Sequence, residues 1–160
     1  MNDLIIEQVY YNNPKHSRVL EAVLAKWFKN PKDLHFTDPR LSYPFSFSKW
    51  IKLSYELPYI DTYVLKKEDW IIGHVSVLSI HNRRQKHIFH FFIDKESRGK
   101  GIGKWFLDQI LKKIENDESD RITLRVSPKN KVAIKLYESK EFIVTGTTHS
   151  GSLTMEKECS

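Results

Sequence analysis

Arg98-Gly99-Lys100-Gly101-Ile102-Gly103-Lys104 is the stretch around which the rest of the chain can be organised. An apolar run, His87 to Ile93, reads as a strand leading toward it. Phe106, Leu107, Ile110, Leu111 and Ile114 follow at three- and four-residue spacings, the buried stripe of a helix that runs from about Gly101 to Glu115. A strand followed by a glycine-rich turn and a helix suits an anion: glycine lets a ligand approach the backbone, and the first helical turn presents N–H groups and a positive dipole end. Arg98, Lys100 and Lys104 add positive charge, so a diphosphate fits; a glycine-rich turn flanked by solvated cations and holding no ligand is the plainer alternative. Two other phosphate loops are excluded. A Walker A loop needs Gly where Arg98 stands and Ser or Thr where Trp105 stands, and the dinucleotide fingerprint G-x-G-x-x-G needs Gly where Lys104 stands.

Upstream, Thr62 to Leu65 and Ile71 to Ile80 read as strands joined by the turn Lys66 to Asp69, and the basic turn Asn82 to Lys86 leads into the strand from His87, so three antiparallel strands are expected. Leu4 to Val9 resembles an opening strand, and Lys15 to Lys29 places Leu20, Val23, Leu24, Trp27 and Phe28 on one helical face. Between Asn30 and Phe47 proline and aromatic residues break regular structure before a second helix at Ser48 to Leu57; the aromatics there either wall a pocket or pack among themselves. Downstream, Arg121 to Val126 is a strand, Ser127 and Pro128 open a helix that continues through Tyr137, and Phe142 to Thr145 and Leu153 to Met155 are short closing strands. The expected fold is α/β, a mixed and mainly antiparallel central sheet flanked by helices, in the order βαα-βββ-α-β-α-ββ.

With 160 residues, 40% of them apolar, 29% charged and no linker or repeat, the chain reads as one domain spanning 1–160. No apolar run is long enough to span a bilayer and Met1 to Tyr11 lacks the pattern of a secretory signal, which makes a cytoplasmic protein with no membrane partner the expectation. Cys159 is the single cysteine, so an internal disulfide is excluded and no thiol catalysis is assigned. The net charge of +6 suits an anionic ligand or a nucleic acid, yet Arg83, Arg84 and Lys86 form no nucleic-acid signature, and no nucleic-acid partner is expected.

The loop resembles the pyrophosphate loop of the GNAT superfamily of N-acetyltransferases, Arg/Gln-x-x-Gly-x-Gly/Ala, with Arg98, Gly101 and Gly103 at the patterned positions. A second element agrees, because Asn130, Ala133, Leu136, Tyr137 and Phe142 fall on the family's downstream pattern. Two departures stand out. Glu141 replaces the glycine common before the final Phe, where a left-handed backbone would cost a non-glycine residue about 1 kcal/mol, so a slightly altered turn is expected. Arg125 stands in a strand that often carries a carboxylate.

The resemblance implies transfer of an acetyl group from acetyl-CoA, as co-substrate and without a metal, to a primary amine of a small molecule or peptide by direct attack in a ternary complex. Arg98, Gly99, Lys100, Gly101, Ile102, Gly103 and Lys104 would hold the pyrophosphate, Phe91 and Ile93 would offer their backbone to the pantetheine arm, and Asn130 and Ala133 would lie near the cofactor. A main-chain N–H near Ile93 would polarise the thioester carbonyl, and Tyr137 would be the general acid for the departing thiolate. Some family members carry a Glu or His at the position of His87, which makes it the candidate general base; as a strand neighbour pointing to the opposite face unless a bulge intervenes, His90 does not share a metal with it. A homodimer would match a frequent family state. The competing expectations are an acyl-CoA-binding fold without catalysis and, ranked behind it, a small basic nucleic-acid-binding module. Nothing in the sequence selects the acceptor, although the aromatic stretch Phe36 to Phe47 favours a small molecule weakly.

Overall fold

A computed structural model describes residues 3–115 and 119–159; Met1, Asn2, residues 116–118 and Ser160, which the expected span 1–160 includes, lie outside them. The elements run β1 (Leu4–Val9), α1 (Pro14–Trp27), α2 (Pro31–Thr37), α3 (Phe47–Ser54), β2 (Ile60–Lys67), β3 (Trp70–Ile80), β4 (Gln85–Ile93), α4 (Ile102–Ile114), β5 (Arg121–Val126), α5 (Lys131–Glu138), β6 (Ile143–Thr147) and β7 (Leu153–Glu158). The strands form a sheet in the order β1-β2-β3-β4-β5-β7-β6, mostly antiparallel and flanked by helices, which is the α/β class expected. The chain divides into two compact units, Met1–Ser76 with His90–Ser97 and Val77–Phe89 with Arg98–Ser160, so that β3 and β4 each contribute to both. No helix among the described residues is long and apolar enough to cross a membrane.

In the first unit β1 pairs antiparallel with β2, from Leu4 opposite Lys67 to Val9 opposite Thr62. Asn13 caps α1, accepting from the N–H groups of Lys15 and His16, and Pro14 follows at the first helical position, where its missing N–H is not needed. The same device builds α2: Asn30 accepts from Lys32 and Asp33, and Pro31 begins the helix. The expected irregular connection from Asn30 to Phe47 therefore contains a helix, because Pro31 acts as a starter rather than a breaker. Leu20, Leu24, Trp27, Phe28, Leu34 and Trp50 are buried with Phe92 of β4 in one hydrophobic cluster. Phe45 and Phe47 pack against that cluster, so aromatic packing is the role these two rings take.

In the second unit α4 buries Ile102, Phe106, Leu107, Ile110, Leu111 and Ile114, the stripe read from the sequence. It connects strands that run parallel, with Gln85–His87 of β4 opposite Arg121–Thr123 of β5, while β7 lies antiparallel to both β5 and β6. Ser127 does not cap α5. Its hydroxyl accepts from the Lys129 N–H in a turn, and Asn130 is the cap, accepting from the Ala133 N–H at 3.3 Å. The turn after α5 also differs from expectation. Glu141 takes the left-handed conformation itself, at φ 70°. The Phe142 N–H reaches the Tyr137 carbonyl and the Glu141 N–H reaches that of Glu138, a Schellman cap, and the Phe142 and Tyr137 rings sit 6.0 Å apart as its hydrophobic contact. The carbonyls satisfied by this cap outweigh the backbone strain, so the turn keeps the geometry a glycine would have adopted.

Candidate functional site

The glycine-rich loop lies in the second unit and runs into the first turn of α4, where Ile102, Gly103 and Lys104 are already helical. Gly99 and Gly101 have φ of 77° and 78°, the left-handed region that glycine enters without a Cβ penalty. Gly101 is the N-cap of α4, and it has no side chain to cap the helix. Among the described residues the other four α-helices open on Asn13, Asn30, Ser46 and Asn130, each of which accepts a hydrogen bond from its own first turn. At α4 the N-cap leaves the first-turn N–H groups to other acceptors, and the helix dipole favours an anion there. Arg98, Lys100 and Lys104 are exposed around it, and Ile102 turns inward to anchor the first turn. A Cβ on Gly99 would meet no atom within 4 Å, so backbone conformation rather than crowding demands glycine at that position.

Tyr137 and Ala133 stand on α5 in the same unit, with Asn130 at its cap. Tyr137 is buried, and burial pushes its phenol well above the usual tyrosine range, which holds it in the protonated, donating form. His87, on β4, faces the hydroxyl of Thr123 across the parallel pair, with Nδ1 2.8 Å from Oγ1. Burial, reinforced by the Arg125 guanidinium, lowers its pKa to about 4, so it is a neutral imidazole near pH 7. Phe91 and Ile93 belong to the first unit, on the last residues of β4, Phe91 partly exposed and Ile93 buried.

The first unit also holds a buried polar array that the sequence reading did not anticipate. Asp38, 3% exposed, accepts from Arg40 through both carboxylate oxygens and from His90 Nε2 at 2.8 Å. Burial alone would raise the Asp38 pKa, but the hydrogen bonds from Arg40 and His90 outweigh it and keep the group ionised. An ionised carboxylate only accepts, so Nε2 of His90 carries the proton. Burial holds the ring neutral against the pull of Asp38, and its Nδ1 accepts from the Tyr55 hydroxyl at 2.7 Å. The Trp50 indole stacks on the His90 ring with centroids 3.7 Å apart. On the backbone side, His74 Nδ1 donates to the His90 carbonyl at 2.8 Å; burial lowers the His74 pKa to about 3, so its Nε2 accepts from the Tyr11 hydroxyl, which in turn accepts from the Trp50 indole N–H. His90 itself adopts φ 52°, an interruption of the extended backbone within β4. The available signal was the presence of His74 and His90 within apolar stretches of β3 and β4, since a polar side chain there must find a partner. Among the described residues no group of three or more His, Cys, Asp or Glu is placed to hold a metal ion.

A model of the acetyltransferase (GNAT) family matches residues 21–142. Comparison with curated proteins gives no match. Among solved structures, the chain resembles spermidine N-acetyltransferase from Vibrio cholerae in complex with CoA and spermine, at 16% identity and TM-score 0.78, covering 99% of this chain and 97% of that one. A dodecameric structure of that enzyme gives 18% identity and TM-score 0.71 over 100% and 96% of the two chains. The ribosomal-protein-S18-alanine N-acetyltransferase of Escherichia coli gives 16% identity and TM-score 0.71 over 98% and 94%. At these identities the likeness is one of fold.

Proposed function

The chain belongs to the acetyltransferase (GNAT) family and is an acyltransferase, and from that premise we propose that it moves an acetyl group from acetyl-CoA to a primary amine by direct attack in a ternary complex. The observation that carries the reading is the opening of α4, where left-handed Gly99 and Gly101 replace a capping side chain beside Arg98, Lys100 and Lys104. Backbone N–H groups and the helix dipole would bind the pyrophosphate there, with the backbone of Phe91 and Ile93 meeting the pantetheine arm and Asn130 and Ala133 near the cofactor.

In this reading a β4 main-chain N–H near Ile93 polarises the thioester carbonyl, the neutral amine attacks, and the C–S bond breaks as the tetrahedral intermediate collapses. Tyr137 supplies the proton for the thiolate, and His87 takes the proton released by the attacking nitrogen. A free amine with a pKa near 10.4 pays roughly 4 to 5 kcal/mol to become neutral at pH 7, which is why a base or a perturbed substrate pKa is needed. The acceptor class is supported by the neighbours, which include a spermidine N-acetyltransferase and a ribosomal-protein-S18-alanine N-acetyltransferase. The dodecameric neighbour supports self-association.

Thiol release from acetyl-CoA, screened over polyamines, amino sugars, lysine and short peptides with free N-terminal alanine, tests the proposal. Transfer to at least one amine is expected. Selective thermal stabilisation by CoA with no acceptor-dependent release from the whole panel would favour the acyl-CoA-binding alternative instead.

A further inference from the structure

The peptide bond joining His90 to Phe91 is held at its carbonyl and, through the His90 side chain, from a second direction. His74 donates to its carbonyl at 2.8 Å, and the ring of His90 is gripped by Asp38 at 2.8 Å, by Tyr55 at 2.7 Å and by the face of Trp50. Because a peptide unit is planar and trans, fixing the direction of the His90 carbonyl also fixes that of the Phe91 N–H, which points the opposite way. A non-glycine residue with positive φ in a strand is strained and persists only where its surroundings over-determine it, as they do at His90 with φ 52°. Both ring nitrogens of His90 are engaged and the ring is buried, so His90 has no nitrogen left to serve as a direct acid or base.

We propose that His74, His90 and Asp38 are positioning residues for acetyl transfer: they lock the His90–Phe91 peptide so that the Phe91–Ile93 segment of β4 meets the acyl donor in one geometry. The proposal rests on the acetyltransferase reading and extends it to side chains remote from the reacting atoms. The gain is preorganisation, since a donor held in place before the reaction needs no reorientation in the transition state.

Two substitutions at His74 separate positioning from general stability. An asparagine amide can occupy the place of Nδ1 and donate to the His90 carbonyl, whereas leucine fills the space without a donor. Single-turnover thiol release, with the best acceptor of the amine panel, is expected to fall at least tenfold in His74→Leu and to return to within threefold of the parent in His74→Asn. Acetyl-CoA affinity by calorimetry is expected to stay within threefold in both. The 15N-resolved Phe91 amide resonance should move in His74→Leu and recover in His74→Asn. A folded His74→Leu with parent rate and parent Phe91 resonance would overturn the proposal, as would equal slowing in the two variants. If His74→Leu does not fold, Asp38→Asn takes its place, with the same tenfold loss expected at unchanged acetyl-CoA affinity, and parent rate in that variant overturns the proposal. A parent that releases no thiol with any acceptor would sink the transfer reading and with it the catalytic purpose of the lock, while the Phe91 resonance would still report whether His74 holds the peptide.

Discussion

Tyr137 and His87 are the residues on which the proposed chemistry turns, and burial shapes each in a definite direction. Tyr137 is kept protonated, which suits the proposed role of donor to the departing thiolate. Tyr137→Phe retains the ring that packs on Phe142 and removes only the hydroxyl. A single-turnover rate at least tenfold below the parent, with acetyl-CoA affinity unchanged, is expected; an unchanged rate would assign the residue to packing alone. His87 is held neutral down to about pH 4 by burial and Arg125. Its basic form is thus complete from pH 5 to 8, and the acidic limb it imposes on the rate profile should fall near pH 4 rather than near the usual histidine value of about 6.5. His87→Gln should slow transfer tenfold or more without altering the profile between pH 5 and 8. A parent rate in that variant would move the search for the base to another group or to the substrate's own pKa.

Elements whose signal is a sustained pattern were the legible ones. The stripe of α4 and the opening loop were read directly, as were β1 and β5 with the bounds observed. What escaped were features decided by one residue's backbone or by partners distant in sequence. Pro31 suits either a break or a first turn, and the neighbouring Asn30 cap decides for α2. Asp38 gained its meaning only when β4 brought His90 to it, 52 positions later in the chain. At the end of α5 the expected altered turn did not occur, because the Schellman cap holds Glu141 left-handed at φ 70°. Glu141→Gly should therefore raise stability by about 1 kcal/mol. The ion pair it removes, Lys157 to Glu141 at 3.5 Å with the Glu141 side chain 85% exposed, is too solvated to offset that gain. Urea unfolding measures the change; a lower midpoint with an unchanged slope would show that the left-handed turn is not the strained feature.

For the whole molecule, the buried neutral histidines tie stability to pH. The folded chain binds no proton at His74 until about pH 3, whereas the unfolded chain binds one near 6.5, so the unfolded state gains protons first as pH falls. Stability attributable to His74 is complete above pH 6.5 and lost below it, at about 1.4 kcal/mol per pH unit, with His90 lowered in the same direction. The thermal midpoint should drop continuously from pH 7 to 5, before Asp38 and the other carboxylates protonate; a flat midpoint over that range would mean that these rings are solvated. The central claim, that the loop opening α4 binds the pyrophosphate of CoA, is tested most directly by calorimetry of CoA against the parent, Gly101→Val and Gly103→Val. Gly101 is left-handed and its replacement strains the backbone, whereas Gly103 lies within the helix and is not among the positive-φ residues, so Gly103→Val is the cleaner probe. Saturable CoA binding by the parent and its loss in both variants at retained helical content are the outcome expected of pyrophosphate binding at this loop. A folded Gly103→Val that binds CoA as tightly as the parent would contradict it.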